Sequence, residues 1–244
     1  YSQSMAGPYW IPKGSNIRGF DNLAEAITAV NTLGLSGETT FYIDADLDQS
    51  AAALPVLQRE DLTANTRLTI KPSPGKTPTV TLTGSPGLDI VNTKYVTIDG
   101  SNQNQGTTRD MTFLMNSATG AGSGVIRVYN ASSHVDIMNL NIRYETATAA
   151  SRGILVDRAS AATVSPSNLH IINNAVGTSD KAFSDGIALW GNLPTLPVVD
   201  AVVADNIVYA GRRGITTFYV KDQFYYDNEV YVTGQVVNNI WHGG

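Results

Sequence analysis

The chain of 244 residues contains no cysteine. That excludes disulfides, thiol catalysis and cysteine-based metal sites, and it fits an exported bacterial protein that holds together by packing alone. Charge is scarce. Asp, Glu, Lys and Arg make up 15% of the residues, and the net charge is −5. No basic patch is present to supply the electrostatic term that a nucleic-acid or anionic-membrane partner requires. Histidine occurs three times, as His134, His170 and His242. None has a second ligand at a metal spacing, so no metal site is expected. Long hydrophobic runs are missing too, and no segment approaches the roughly 20 apolar residues of a membrane span. No signal peptide is visible, and Tyr1-Ser-Gln-Ser-Met5 reads as a processed or truncated start.

What the chain does have is repetition. Gly followed by a short apolar-alternating run recurs at Gly87, Gly124, Gly153, Gly186 and Gly214, with steps of 37, 29, 33 and 28 residues. Self-similarity at this period marks one supersecondary unit stacked on the next. Each unit has a second half in which Asn174, Asn206 and Asn228 stand two residues before Val176, Val208 and Val230. The same register fits Val96-Thr-Ile98 and Val135-Asp-Ile137, with Ser101 and Leu140 in the Asn position. Period-2 alternation, as in Leu169/Ile171, is that of strands with one buried face. An Asn at a repeated bend can hydrogen-bond its neighbours above and below, and it tolerates the left-handed backbone of a sharp turn. A Gly opening each coil serves the same backbone need. The expected fold is all-β: a right-handed parallel β-helix with coils of three short strands. Arg127 falls on an inward position unless its coil slips by one residue, which places Ile126 and Val128 inside. Thr217 and Gln235 are poor core residues, so the last coil boundaries are open.

The organisation follows. Residues 1–20, with Pro8 and Pro12, read as irregular. Leu23, Ala26, Ile27, Val30 and Leu33 form an apolar stripe at helical spacing, with Asp21 as N-cap and Gly34 as the stop. This amphipathic helix is placed to plug the open end of the solenoid. Residues 39–47, 66–71 and 79–83 read as strands of the first coils. The predicted division is 1–38 as N-terminal segment with capping helix and 39–244 as parallel β-helix. Because 236–241 still look like a coil, the solenoid is expected to continue beyond Gly244 or to be covered there by a partner.

Tyr9-Trp-Ile-Pro-Lys-Gly14, Phe20-Asp-Asn-Leu-Ala-Glu-Ala-Ile27, Leu33-Gly-Leu-Ser-Gly37-Glu-Thr-Thr-Phe41-Tyr-Ile43 and Tyr95-Val-Thr-Ile-Asp-Gly-Ser101 resemble the cap and body of large parallel β-helix proteins of Bacteroidota-type bacteria, in the broad pectate-lyase-like superfamily. The resemblance covers nearly the whole chain. It implies a secreted or cell-surface protein exported by the type IX system, although the C-terminal sorting domain of such exports is missing from this sequence.

For function the sequence offers two readings. The first is a non-catalytic extracellular module, structural or adhesive, of a larger surface or secreted protein, with a polysaccharide or another surface protein as partner. Ten of the 20 aromatic residues follow residue 180, and outward ones such as Trp190, Tyr219, Tyr226 and Trp241 are candidates for stacking on sugar rings. The loops at 101–110, 116–123, 145–152, 177–185 and 191–200 are the variable insertions where recognition is expected. The alternative is a polysaccharide lyase or glycoside hydrolase. Inverting hydrolysis needs two carboxylates about 6.5–9.5 Å apart, and a lyase needs a carboxylate–Ca²⁺ site with a base. Asp185, Asp205, Asp227 and Glu229, with Arg212, Arg213, Lys221 or Asp222, are the candidates for one catalytic surface. The paired-Asp, Gly-His-Gly and Arg-x-Lys pattern of pectin hydrolases is absent. Asp185-Gly186 and His242-Gly-Gly244 are only fragments of it, and Asp205 and Asp227 need no more than a turn-forming role. Asp44-Ala-Asp46-Leu-Asp48 imitates a calcium loop, but Gln49 and Pro55 stand where Gly and Glu are needed. No cofactor is expected, with Ca²⁺ the one ion to consider.

Overall fold

The computed structural model describes residues 3–116, 123–145 and 151–233. From the N-terminus the elements are β1 (Met5–Ile11), α1 (Leu23–Leu33), β2 (Leu35–Ile43), β3 (Leu47–Gln49), β4 (Leu68–Pro72), β5 (Thr79–Leu82) and β6 (Leu88–Val91). Then come β7 (Lys94–Asp99), β8 (Met111–Met115), β9 (Ile126–Tyr129), β10 (Ser133–Met138), β11 (Leu140–Tyr144) and β12 (Arg152–Asp157). The last coils contain β13 (Ser167–Ile172), β14 (Ala175–Val176), β15 (Phe183–Trp190), β16 (Val198–Ala204), β17 (Ile207–Phe218), β18 (Val220–Tyr226) and β19 (Glu229–Val232). All the strand pairings are parallel, and they form a β-solenoid of about six turns.

Three faces run along it. Face A stacks β1, β2, β4, β7, β10, β13, β16 and β18. Face B stacks β3, β5, β8, β11, β14, the first part of β17 and β19, while face C stacks β6, β9, β12, β15 and the rest of β17. The unbroken β17 joins faces B and C into one sheet. Inward positions form columns of fully buried aliphatics: Leu68, Val96, Val135, Leu169 and Ala201 on face A, and Leu88, Ile126, Ile154 and Ile187 on face C. Each such side chain contributes roughly 1.5–3 kcal/mol by leaving water. The Arg127 question is settled by the slip: Ile126 and Val128 are buried, and Arg127 stands outward. Thr217 does take an inward slot, beside Leu189, and is 5% exposed.

Two readings of the bends need correction. Asn174 and Asn206 are fully buried and point into the coil stack, so they do not take the left-handed turn themselves. Asn206 Nδ2 donates to Ile171 O (2.8 Å) and Asn228 Oδ1 (2.9 Å), while its Oδ1 accepts from Asn174 N (2.9 Å) and Nδ2 (3.0 Å). The left-handed backbone falls one residue earlier, at Asn139, Asn173, Asp205 and Asp227, with φ of 58, 55, 56 and 51°. The first residue of each corner turns the chain and the second locks it.

The glycines also have another reason. Gly153, Gly186 and Gly214 stack in register, and a Cβ on Gly186 would lie 2.1 Å from Val208 Cγ1 and 2.7 Å from Gly214 O. Close approach of face B, not a positive φ, excludes a side chain there. Only Gly124 of the five turns left-handed (φ 94°), and it stands one residue before this column, where Val125 takes the glycine slot.

Helix α1 covers the end of the first coil with Leu23, Ala26, Ile27 and Val30, all buried. Its N-cap is Asn22 rather than Asp21. Asn22 has the extended backbone a cap needs, and its Oδ1 accepts from Glu25 N (2.9 Å), while the Glu25 carboxylate takes the Asp21 N–H instead. Residues 5–11 are not irregular. They form β1, which pairs in parallel with β2, because buried Met5 and Ile11 belong to the same inward columns and the cap therefore sits inside the sheet system. The expected boundary at 38/39 runs through β2.

Asn206→Ala leaves several buried backbone and amide groups unpaired at about 1–3 kcal/mol each. We expect a loss of roughly 3 kcal/mol in urea unfolding, and a smaller loss for Asn228→Ala at the partly exposed end of the ladder. Equal losses would show that the ladder carries no special weight.

Candidate functional site

The outward surface of face C carries the densest chemistry. Alternation aims Asp157, Trp190 and Phe218 outward in one column, since Asp157 stacks on Trp190 and Trp190 on Phe218. The next position is the corner leading to face A, occupied in successive coils by Asn92, Asn130, Arg158, Gly191 and Tyr219. At the start of the strands a third column holds Arg152, Asp185 and Arg213. Asp185 is 2% exposed and is gripped in two-pronged fashion by Arg213 (Nε–Oδ1 2.8 Å, Nη2–Oδ2 2.7 Å), with Arg152 3.4 Å from Oδ2. The same two arginines lean on an indole: the guanidinium carbons of Arg152 and Arg213 lie 4.4 and 5.8 Å from the centre of the Trp190 ring. Such contacts fix both partners.

Beside this layer opens a cleft of about 420 Å³, lined by Asp157, Arg158, Trp190, Arg213, Phe218 and Tyr219, among others. Phe218 and Tyr219 are 40% and 38% exposed, so their rings offer faces to a ligand. Burial holds the Asp157 carboxyl above the ordinary carboxylate range, partly offset by the Arg158 backbone N–H and nearby arginines. The cleft thus joins an aromatic platform to a cationic rim on a chain of net negative charge. Open aromatic faces beside fixed polar groups are the chemistry of sugar recognition.

A second cluster occupies face A. Thr97, Asp136, His170, Val202 and Phe224 share one outward column. The Asp136 carboxylate accepts from His170 Nδ1 (2.8 Å), Arg67 Nη1 (3.0 Å) and Thr97 Oγ1 (2.9 Å). This arrangement directs the His170 proton to Nδ1 and leaves Nε2 as the free nitrogen on a groove of about 340 Å³ that also meets His134, Asp200 and Phe224. His134 itself stacks on Tyr95 with centroids 4.4 Å apart. Both belong to a column of left-handed residues, Tyr95, His134, Asn168, Asp200 and Asp222, near the start of β7, β10, β13, β16 and β18.

The sequence-derived candidates scatter over these surfaces. Asp185 is locked to Arg213 on face C. Asp205 and Asp227 are the turn residues of the A–B corner, and Glu229 begins β19 on face B, where its carboxylate accepts from Tyr231 OH (3.0 Å). Arg212 is exposed within β17, and Lys221 is exposed on β18, 3.8 Å from Asp222. Trp190 and Tyr219 share the face C cleft; Tyr226 is exposed on the last strand of face A and does not line it. Trp241, His242 and Gln235 lie outside the described residues. The Asp46 and Asp48 carboxylates accept backbone N–H groups of Thr79 (2.7 Å) and Ser50 (2.9 Å). Among the described residues no group of three or more His, Cys, Asp and Glu is placed to hold a metal ion. No described helix is long and apolar enough to cross a membrane.

Arg158 and the Asp136–His170 pair escaped the sequence reading. His170 follows Asp136 by 34 residues, one coil, and only the strand register shows that they touch. No protein-family model, curated protein or solved structure matches the chain.

Removing buried Asp185 strands the partly buried Arg213 guanidinium, so Asp185→Ala should cost about 3 kcal/mol. The double variant Asp185→Ala/Arg213→Met should recover part of that loss in chemical unfolding. Strict additivity of the two single losses would contradict the pairing.

Proposed function

We propose that this chain is a non-catalytic extracellular solenoid module of a larger secreted or cell-surface bacterial protein, and that it binds a glycan in the Trp190 cleft. The observation that carries the reading is the pairing of open Phe218 and Tyr219 faces with Trp190 and a cationic rim in one cleft. Sugar rings present flat C–H faces that stack on aromatic side chains, and their hydroxyls need fixed polar partners at the edge. A repeating scaffold supports this use, because stacked coils hold surface columns rigid while loops at the corners vary. The absence of cysteine, the low charge and the resemblance to exported β-helix proteins support the extracellular setting. Candidate carboxylates engaged in turns or ion pairs favour binding over turnover.

Glycan-array binding followed by calorimetry tests the reading. Trp190→Ala and Tyr219→Ala should each weaken the best hit at least tenfold while circular dichroism stays unchanged. Failure of every glycan to bind, or binding untouched by both substitutions, would sink it.

One observation favours the enzyme alternative: His170, oriented by Asp136, has the geometry of a general base. A polysaccharide panel, with and without Ca²⁺, is expected to yield no product. Product release that disappears in His170→Ala or His170→Gln would replace the binding reading with a carbohydrate-active enzyme.

A further inference from the structure

The binding reading leaves open what kind of glycan fits, and unmet hydrogen-bond donors in the cleft bear on that question. Arg158 is only 4% exposed, yet its Nε and Nη2 have no protein acceptor; Nη1 donates to Ala162 O. Its neighbour Asp157 makes no hydrogen bond or ion pair with the guanidinium: Asp157 Oδ1 accepts the Arg158 backbone N–H (2.7 Å), and the two charges interact only through space. Trp190 Nε1 is likewise buried without an acceptor. Both residues line the same cleft. The other guanidinium on that rim, Arg213, is already committed to Asp185.

A guanidinium cannot shed its proton, so burial does not relieve its charge as it would for lysine or histidine. Two donors of a buried cation and an indole N–H without acceptors are costly to keep in a folded chain, and natural structures rarely leave such groups unpaired unless something else supplies the acceptor. The corner geometry also explains why Arg158 is held here. The same corner position holds Asn92 and Asn130 in earlier coils, whose Oδ1 atoms accept from the next coil's backbone at Ala131 and Ala159. At Arg158 an acceptor side chain gives way to a donor side chain, and Gly191 follows in the next coil. A Cβ on Gly191 would lie 2.2 Å from Tyr219 O, so the corner position of the next coil presents no side chain to Arg158.

We propose that Arg158 and Trp190 Nε1 form a seat for an oxoanion, a carboxylate or a sulfate ester, carried by the sugar that stacks on Phe218 and Tyr219. The proposal rests on the glycan-binding reading and narrows it to acidic glycans. These donors lie just under the cleft wall, so the anion meets them when the Arg158 side chain turns outward; it then finds two N–H groups for two of its oxygens, the two-pronged geometry that guanidinium favours, with the indole N–H as a third donor. The Asp157 carboxyl on the same rim faces the anion, and the guanidinium charge must outweigh it.

The test uses three hexasaccharides of one backbone: a uronic-acid form, its carboxyl-reduced neutral counterpart and a sulfated form. At least one acidic form should bind tenfold or more tighter than the neutral one, with affinity falling as salt rises. Arg158→Met should abolish that preference, lowering acidic affinity to that of the neutral sugar, and its melting temperature should hold or rise because an unpaired buried charge is gone. Trp190→Phe keeps an aromatic ring but removes the N–H, so it should weaken the acidic ligand more than the neutral one. Whether uronate or sulfate wins identifies the anion's source. Equal binding of all three sugars, or an acidic preference that survives Arg158→Met, overturns the seat while glycan binding stands. If none of the hexasaccharides and none of the arrayed glycans bind, the seat and the glycan-binding reading both fall.

Discussion

Every coil has to bring its chain back over the coil before it, strand upon strand, about 4.8 Å further along. That requirement of common register governs the rest of the structure. Inward side chains can form unbroken columns only if each coil spends the same number of residues between corners on a given strand, whatever its loops do. The A–B corner enforces this most tightly. A left-handed Asn or Asp bends the chain, and the buried Asn after it ties its own coil to the coils on either side through Asn174, Asn206 and Asn228. Each bond is worth about 1 kcal/mol net, and the same amides also satisfy the buried backbone groups Asn174 N, Ile137 O and Ile171 O. Where Leu140 takes the locking position, its backbone N–H is still served by Asn174 Oδ1 (3.1 Å), so the ladder reaches one coil past its last amide.

How much of this was legible depends on whether the information was local. Alternating runs and a recurring Asn are local signals, and they specified the strands, the coil period and the capping helix. The dipeptides Asn173-Asn174, Asp205-Asn206 and Asp227-Asn228 were visible too, but composition does not say which of two adjacent polar residues turns and which locks. The glycine column misled in a similar way. Gly124 looks like a member, yet it lies one residue out of register, and the sign of that slip was the inward Arg127. Short β1, broken by Gly7 and Pro8, hid because only its pairing with β2 makes it a strand.

The surface was legible to a lesser degree, for a geometric reason. On a solenoid the neighbours of a side chain are found one coil away, at separations of about 22 to 39 residues that change with each loop. Asp185 and Arg213, Asp136 and His170, or Arg152 and Trp190 carry no mutual signature in the linear chain. Asp185, Asp205, Asp227 and Glu229 are candidates for one acidic surface in the linear chain because stacked coils could bring them together. Register distributes them over face C, the A–B corner and face B, and gives Asp185 and Glu229 side-chain partners.

That distribution sharpens where function can reside. Charged side chains on faces A and C are largely paired in place: Arg127 with Asp89, Arg213 with Asp185, Arg67 with Asp136. Such pairs hold adjacent coils in register and have little charge left for a ligand. Arg158 differs because it replaces a corner acceptor, sits below the surface and keeps two donors unmet beside an aromatic platform. A scaffold in which stacking accounts for nearly every patterned residue exposes its recognition chemistry where a column changes type. Along the C–A corner that change occurs at Arg158, and the aromatic residues gather in the two coils that follow it.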